Sequence, residues 1–466
     1  ARLGGHSLKR TQRPSNGMVG AEIIFGMQRE VKKFQKTGQL QLLVDTVVTK
    51  LISDSTGRVT GVEFRSLSDS GADSVKKMEA KNVILATGGF ASDRSAGSYL
   101  DQNRPELMNF PATAGPFSTG DGISLATALG AGTVDMDKIQ IHPTGWIDPA
   151  DPDNNSKILA AELMRGVGGL LINHQGQRFC NEVGTRAYVS DRMLSHDSTY
   201  ASTKKWNASK DIPDFYLVLS SAAAEDARKH VDLYMHKGLL TKVQSVGGLA
   251  RFMNLPKRRI VETLQGYLSE AEKGKDKFGK TVFNGLPDTE LDRETFYVGR
   301  VVPVLHYCMG GITIDTEGNV LNRDGSVIPG LHAAGEVTGG VHGVNRLAGN
   351  SLLECTVFGS IVGQKIPIQT PVRVGSFGSG ESVVADPKEL RAVSKEELQR
   401  HNTPEDCWVA IHGTVYDLTE FAQEHPAGPL SIHELAGQDG TKAFSAVHSL
   451  GIMDDFHDER IGMLES

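Results

Sequence analysis

Residues 82–90 read NVILATGGF, and this stretch decides how the larger part of the chain is interpreted. Val83, Ile84 and Leu85 form an apolar run that predicts a strand. Gly88 and Gly89 follow it, and paired glycines after a strand let the backbone approach a ligand closely. The stretch therefore predicts one strand of an α/β fold with a ligand-binding loop at its end.

The segments around this strand carry further helix and strand patterns. Apolar residues recur every three or four positions within residues 20–40, which predicts a helix. Residues 40–52 and 58–66 have strand patterns separated by Ser, Gly and Asp. Helix patterns occupy residues 220–233 and 257–272. This alternation favours an α/β architecture.

Changes of composition divide the chain. Polar loops become frequent over residues 136–300, and strand and glycine-rich patterns return over 301–367. Residues 368–396 are rich in Gly, Ser and charges and predict a linker. Residues 397–466 have their own apolar residues and turn signals, so we expect a separate small domain there.

Composition excludes several classes of protein. The 466 residues carry a net charge of −7, which argues against nucleic acid as the main partner. The four cysteines form no CxxC pair, so neither a zinc site nor a disulfide framework is indicated. No apolar run reaches the ~18–20 residues of a spanning helix. We expect a soluble intracellular protein of the cytoplasm or mitochondria, with any targeting segment outside these residues.

The C-terminal part has the most specific pattern. Residues 407–428 read CWVAIHGTVYDLTEFAQEHPAG, residues 435–449 read LAGQDGTKAFSAVHS, and His425 and His448 lie 448 − 425 = 23 residues apart. Two histidines facing each other across an apolar slot can hold a haem iron from both sides. The segment resembles the cytochrome b5 family, and the resemblance implies haem b with these two histidines as axial ligands. Such a haem carries electrons and has no open position for oxygen.

Several loops of the larger part resemble the fumarate reductase and succinate dehydrogenase flavoprotein family, over residues 1–367. These loops are ATGGF at 86–90, TGDG at 119–122, AGEVTGG at 334–340 and NSLL at 350–353. The resemblance implies FAD, with its contacts at Gly4, Gly5, Thr87, Gly88, Gly89, Asp121, Glu336, Ser351 and Leu352. A helix beginning at Asn350 could stabilise negative charge on a reduced flavin through its dipole.

The resemblance also defines the domains. We expect the remainder of a Rossmann-like FAD-binding domain (1–135 and 301–367), an inserted α+β capping domain (136–300), the linker and a small α+β cytochrome b5-like domain. No G-x-G-x-x-G precedes a helix anywhere in the sequence. We therefore expect the first dinucleotide-binding unit of this family to lie before residue 1.

Motifs in the middle of the chain resemble the dicarboxylate site of the same family. They are HPT at His142–Thr144, ExxRG at Glu162–Gly166 and the TR pair that ends at Arg186. The resemblance makes Arg186 the general acid, with Arg165 and Glu162 as its proton relay. It assigns substrate binding to His142, Thr144, Glu162, His306 and Arg346. Arginine suits carboxylates because its planar fork binds them bidentately.

These motifs imply an oxidoreductase acting on CH–CH groups that reduces fumarate to succinate, with the haem exchanging electrons with the flavin. The electron donor stays open among NADH, reduced flavin and a reductase. One alternative is a relative acting on another enoate or enone, such as urocanate or a ketosteroid. The other is a haem-binding electron carrier with an inactive flavin remnant.

Overall fold

Helices and strands alternate throughout the part of the chain that the computed structural model describes. That part comprises residues 3–8, 11, 19–67, 75–195, 212–366, 391–425, 428–448, 453, 456 and 459–465. It divides into two units, one of residues 1–11 and 43–368 and one of residues 12–42 and 369–466. The predicted α/β class is confirmed. No described helix combines the length and the apolarity that crossing a bilayer requires.

The helices are α1 (Val19–Lys36), α2 (Tyr99–Asn103), α3 (Asp121–Thr127), α4 (Glu162–Gly166), α5 (Arg186–Leu194), α6 (Ser221–Asp226), α7 (Arg228–His236), α8 (Ser245–Met253), α9 (Lys257–Glu272), α10 (Asn350–Lys365), α11 (Lys395–Leu398), α12 (Thr419–Glu424), α13 (Leu430–His433) and α14 (Thr441–Val447). One 3₁₀ turn spans Pro105–Leu107. The strands are β1 (Thr46–Ser53), β2 (Val59–Ser66), β3 (Lys76–Glu79), β4 (Val83–Leu85), β5 (Thr133–Val134), β6 (Ile139–Trp146), β7 (Leu170–Ile172), β8 (Phe215–Leu219), β9 (Thr241–Gln244), β10 (Thr295–Cys308), β11 (Gly311–Ile312), β12 (Asn319–Leu321), β13 (Val327–Ala333), β14 (Arg391–Val393), β15 (Asn402–Thr403), β16 (Asp406–Ile411), β17 (Thr414–Asp417), β18 (Gln438–Asp439) and β19 (Arg460–Leu464).

The apolar run of residues 83–85 forms β4, as predicted, and pairs in parallel with β13. The strand order is β12-β13-β4, and a second sheet, β1-β2-β3, is antiparallel. The predicted strand over 40–52 is shorter than expected and begins at Thr46. Asp45 adopts a φ of 48°, a left-handed conformation that cannot continue an extended strand.

A larger antiparallel sheet has the order β6-β10-β8-β7, with β9 also on β10, and it carries His142 and His306. Its central strand β10 is 14 residues long, and the predicted domain boundary between residues 300 and 301 falls inside it. The predicted helix at 257–272 matches α9. The predicted helix at 220–233 is two helices, α6 and α7, because Ala227 departs from helical geometry at φ −123°, ψ 26°.

The second unit is built on the sheet β14-β19-β17-β16-β15, with β18 parallel to β16. Within residues 369–466 of this unit, the first described element is β14, which begins at Arg391, inside the segment predicted as a linker. Residues 368–390 of that segment lie outside the described residues. Residues 12–42 group with this unit and not with the predicted first domain, 1–135. The reason is apolar packing, since Phe25 of α1 is buried in the same cluster as Phe444 and Phe456.

Candidate functional site

Two histidines from neighbouring strands form one wall of the site. His142 lies on β6 and His306 on β10, and their ring centroids are 5.1 Å apart. The backbone N–H of Thr144 donates to Nδ1 of His142 at 3.1 Å, which leaves the proton of the neutral ring on Nε2. That Nε2 is buried and has no hydrogen-bond partner within the part of the chain that the structure describes. It is therefore a donor available to a ligand.

Thr144, the threonine of this motif, lies next to His142. The hydroxyl of Thr144 donates to the carbonyl of Ala160 at 3.0 Å, and the residue is fully buried. Its backbone N–H holds the ring of His142 in the contact just described. Thr144 thus positions His142, and its predicted substrate contact stays a prediction.

The starts of helices α4 and α5 bring together Glu162, Arg165 and Arg186. Nε of Arg186, the first residue of α5, donates to Oε2 of Glu162 at 2.8 Å, and Nη2 of Arg165 lies 3.9 Å from the same oxygen. Burial raises the pKa of Glu162, but the two guanidinium charges outweigh it and lower that pKa below its usual range. Glu162 is therefore an anion that links two cations.

The segment before this group seats against it. The N–H of Gly4 donates to Oε1 of Glu162 at 2.5 Å. A Cβ on Gly4 would come within 2.5 Å of the carbonyl of Gly184, and Gly5 has a φ of 74° with Leu347 close by. Gly4 therefore lies against the carboxylate of Glu162, and Gly5 lies against the loop that carries Arg346. Both glycines were predicted as FAD contacts.

Arg165 is buried and incompletely paired. Its Nη1 donates to the backbone carbonyl of Glu182 at 2.6 Å, whereas Nε and Nη2 have no hydrogen-bond partner. Burial lowers the pKa of Arg165 despite the nearby carboxylate of Glu162. The side chain therefore keeps donors for a further acceptor at the site.

Gln140 joins the two ends of the site, and the sequence analysis did not assign it. Nη1 of Arg186 donates to its Oε1 at 2.7 Å, and its Nε2 donates to the carbonyl of Arg346 at 2.9 Å. The signal that could have found it is its position two residues before His142, because alternate residues of a strand share a face. Gln140 thus connects Arg186 to Arg346.

Arg346 completes the cationic set. Its guanidinium lies 4.4 Å from the ring centre of Tyr307, and its Nε is buried without a hydrogen-bond partner. Burial, and then the charge of Arg186, lower the pKa of Arg346 to about 10, so it stays charged at neutral pH. The pKa values of His142 and His306 are held well below their usual range by burial and then by Arg186. The site therefore combines charged arginines with neutral imidazole donors, a set that suits a small anion.

The predicted FAD loops lie at the carboxyl ends of β4 and β13, where α/β proteins bind ligands. The N–H of Ala334 donates to the carbonyl of Leu85 at 3.1 Å, which joins the loops of residues 86–90 and 334–340. A Cβ on Gly89 would lie 2.7 Å from Oε1 of Glu336, so glycine is required for these loops to approach each other. Burial raises the pKa of Glu336 to about 7.

Two helix starts flank these loops. Helix α10 begins after Gly349, whose φ is 88°, and no side chain caps its first turn, where Ser351 and Leu352 lie. Helix α3 begins at Asp121, and its Gly122 packs against the Thr87 hydroxyl. The N–H groups in the first turn of α10 have no side-chain cap. Together with the adjoining glycine loops, they fit an electron-rich, anionic cofactor such as FAD.

The second unit brings His425 and His448 together. Their ring centroids are 6.0 Å apart with the planes at 90°, and two metal–nitrogen bonds of about 2 Å each would place them roughly that far apart. Burial, and then the charge of His425, lower the pKa of His448 to about 4, so its ring is neutral and able to bind a metal. Phe421, Phe444 and the Phe25 ring of α1 pack around the pair. The residues fit a haem in ligand type, spacing and apolar surroundings.

Comparison with known proteins matches two families to successive parts of the chain. The family described as FAD binding domain matches residues 1–352, and the family described as Cytochrome b5-like Heme/Steroid binding domain matches residues 394–465. "Fumarate reductase" of Schizosaccharomyces pombe is 41% identical over 370 residues, which cover 78% of this chain and 68% of the relative. "Fumarate reductase 1" of Saccharomyces cerevisiae is 37% identical over 374 residues, covering 78% and 75%.

Among solved structures, the open conformation of a flavocytochrome c3 fumarate reductase is similar, with a TM-score of 0.58 and 30% identity. The likeness covers 78% of this chain, which spans 58% of that longer protein.

The histidines of the site predict a pH dependence of stability. The folded-state pKa values of His142 and His306 lie below the value of about 6.5 in the unfolded chain. Below about pH 6.5 the unfolded chain therefore binds protons that the folded chain does not. The free energy of unfolding consequently decreases as the pH is lowered, by at most about 1.4 kcal/mol per pH unit for each histidine. Urea denaturation between about pH 7 and pH 5 measures this slope.

The matched variants are His142→Gln and His236→Gln, the second at an exposed position of α7. His142→Gln should reduce the slope of the unfolding free energy against pH by up to about 1.4 kcal/mol per pH unit, the contribution of one proton. His236→Gln should leave that slope unchanged. Equal slopes in wild type and His142→Gln would contradict the neutral, buried assignment of His142.

Proposed function

The chain belongs to the fumarate reductase family of FAD-binding flavoproteins and carries a cytochrome b5-like domain, and on that premise we propose that it reduces fumarate to succinate. One observation carries the proposal: among the described residues, buried donors of His142, Arg165 and Arg346 have no hydrogen-bond partner, and the charge of Arg186 acts on all three side chains. An unpaired buried donor is costly, and a dianion supplies the acceptors that these groups lack.

Each side chain has a role in this reaction. Arg346 and His306 bind one carboxylate of fumarate, and Nε2 of His142 binds the other. Arg186 donates a proton to one alkene carbon. FAD, when bound, supplies the hydride that the other carbon receives, so that fumarate, one hydride and one proton give succinate. The residues that fit FAD are the two glycine loops, the start of α10 and Glu336.

The relay supports an arginine as the acid. A guanidinium has a pKa above about 12 in water and is a weak acid. Glu162 accepts from Arg186 and lies beside Arg165, so it can return a proton to Arg186 after each turnover. Holding the acid and the substrate in fixed positions within a buried site supplies the rest of the rate enhancement.

The charge pattern favours a dicarboxylate over an enone. Arg186 and Arg346 are both cationic residues buried at one site, joined through Gln140. A ketosteroid has no carboxylate to neutralise this pair, whereas fumarate has two. In the second unit, His425 and His448 would hold a b-type haem through both axial positions, and that haem would exchange single electrons with the flavin.

Substitution of the acid tests the catalytic proposal. We expect Arg186→Lys to lower fumarate turnover by roughly 10²- to 10⁴-fold, since lysine cannot keep the hydrogen bonds to both Glu162 and Gln140. Fumarate should still bind because His142, His306 and Arg346 remain. Turnover is measured anaerobically with a reduced dye as the electron donor. Arg192→Lys, at an exposed position of the same helix, is the control and should keep full turnover. Equal rates in Arg186→Lys and wild type would remove Arg186 as the acid.

Substitution of a haem ligand tests the second unit. We expect His448→Ala to lose haem, visible as loss of the reduced haem b spectrum, while dye-driven fumarate reduction continues. His433→Ala in the same unit should keep its haem. Unchanged haem content in His448→Ala would contradict the ligand assignment.

A further inference from the structure

We propose that Tyr307 is a positioning residue whose ring holds the guanidinium of Arg346 in place while leaving its donors open, and that it thereby sets the preference for a substrate with a second carboxylate. The inference rests on the proposed function, since it concerns the same site. Tyr307 belongs to no motif that the sequence analysis assigned a role.

Arg346 is held with few polar contacts. Its guanidinium lies 4.4 Å from the ring centre of Tyr307. Among the described residues no carboxylate lies within ion-pair distance of it, and its contacts to Ser351 and Leu347 are long, at 3.4 and 3.5 Å. Its Nε is buried without a hydrogen-bond partner. The aromatic face is therefore the main contact that fixes this cation.

Arg178 provides the contrasting case in the same unit. Its guanidinium lies 4.4 Å from the ring of Tyr267, the same distance as in the Arg346 pair. Its Nε and Nη2, however, donate to both oxygens of Glu182, and Nη2 also donates to Asp276. Stacking on an aromatic ring positions a guanidinium without using its N–H groups, whereas carboxylates use them. Arg178 is thus a structural cation, and Arg346 is a cation that keeps donors for a ligand.

The Tyr307 ring is itself anchored. Its hydroxyl donates to Oε2 of Glu354 at 2.5 Å, and Nε2 of His342 lies 2.6 Å from that oxygen. The hydroxyl of Thr338 donates to the other oxygen at 3.1 Å. Glu354, on α10, is buried and receives all three contacts. The anchor fixes the ring plane against which Arg346 lies.

The position of Tyr307 on β10 connects the anchor to the site. Tyr307 follows His306 directly, at a register shift in the pairing of β10 with β6, and such an irregularity re-aims the side chains beside it. His306 contacts Thr113 and faces the ring of His142, while Tyr307 contacts Glu354 and Arg346. The end of one strand therefore supplies both a predicted substrate ligand and the support for the neighbouring ligand.

The test separates substrate binding from turnover in the flavin- and haem-loaded protein. We expect Tyr307→Leu to raise KM for fumarate, and the dissociation constant for malonate, at least about tenfold. The value of kcat should change less than about threefold, because the relay of Arg186, Glu162 and Arg165 is untouched. Tyr307→Phe keeps the ring but loses the bond to Glu354, so its KM should rise by only about threefold.

Tyr267→Leu is the matched control because it removes the same contact from Arg178. We expect it to lower stability and to leave KM within about twofold of wild type. If Tyr307→Leu does not fold, Tyr307→Phe and Glu354→Gln still test the anchor, each with the expected rise of about threefold. An unchanged KM and malonate affinity in the folded variants, or a fall in kcat without a rise in KM, overturns the inference.

The proposed function can fail separately from this inference. A wild-type protein that binds malonate but does not oxidise its reduced flavin with fumarate refutes the proposed function. The malonate affinities of the tyrosine variants then still decide whether Tyr307 positions Arg346.

Discussion

The site depends on keeping three guanidinium groups buried close together with few carboxylates to neutralise them. Arg165 and Arg186 share the carboxylate of Glu162, whereas Arg346 has no carboxylate within ion-pair distance among the described residues, and burying a charge without a partner is strongly unfavourable. Neutral groups that contact the guanidinium groups offset part of this unfavourable free energy, namely the carbonyl of Glu182, the amide of Gln140 and the ring of Tyr307. The proposed dianionic substrate supplies acceptors for the remaining donors, so this charge imbalance favours its binding.

A second buried ionic cluster in the same unit shows that the imbalance is local. Arg178 and Lys280 are paired with Glu182, Asp276 and Glu270 at distances of 2.8 to 3.4 Å. Burial raises the pKa of Glu182, but Lys280 and Arg178 outweigh it and lower that pKa to about 2, so the cluster has its counter-charges in place. The cluster also holds Glu182 in place, whose backbone carbonyl accepts a hydrogen bond from Nη1 of Arg165. A charge-balanced cluster thus supports an unbalanced one, and the ligand-binding role proposed above belongs to the unbalanced cluster.

Much of this arrangement could be predicted from the sequence because short motifs carry it. The run at residues 83–85 and helix 257–272 follow from apolar patterns, and the histidine pair of the second unit follows from the resemblance to the cytochrome b5 family. Gln140, Tyr307 and Glu354 were missed, because their roles arise from contacts between β6, β10 and α10 that no local pattern encodes. The hydrogen bond from Thr144 to the carbonyl of Ala160 could not be predicted for the same reason. The grouping of α1 with the second unit depends on Phe25 finding an apolar cluster far along the chain.

The central claim is that this cationic site directs a proton and a hydride to the two alkene carbons of a small dianion. Its most direct test is a single-turnover experiment in which the flavin of the loaded protein is reduced anaerobically and then mixed with fumarate. The account predicts that the flavin absorbance near 450 nm returns and that one succinate forms per flavin. A flavin that stays reduced in the presence of saturating fumarate would contradict it.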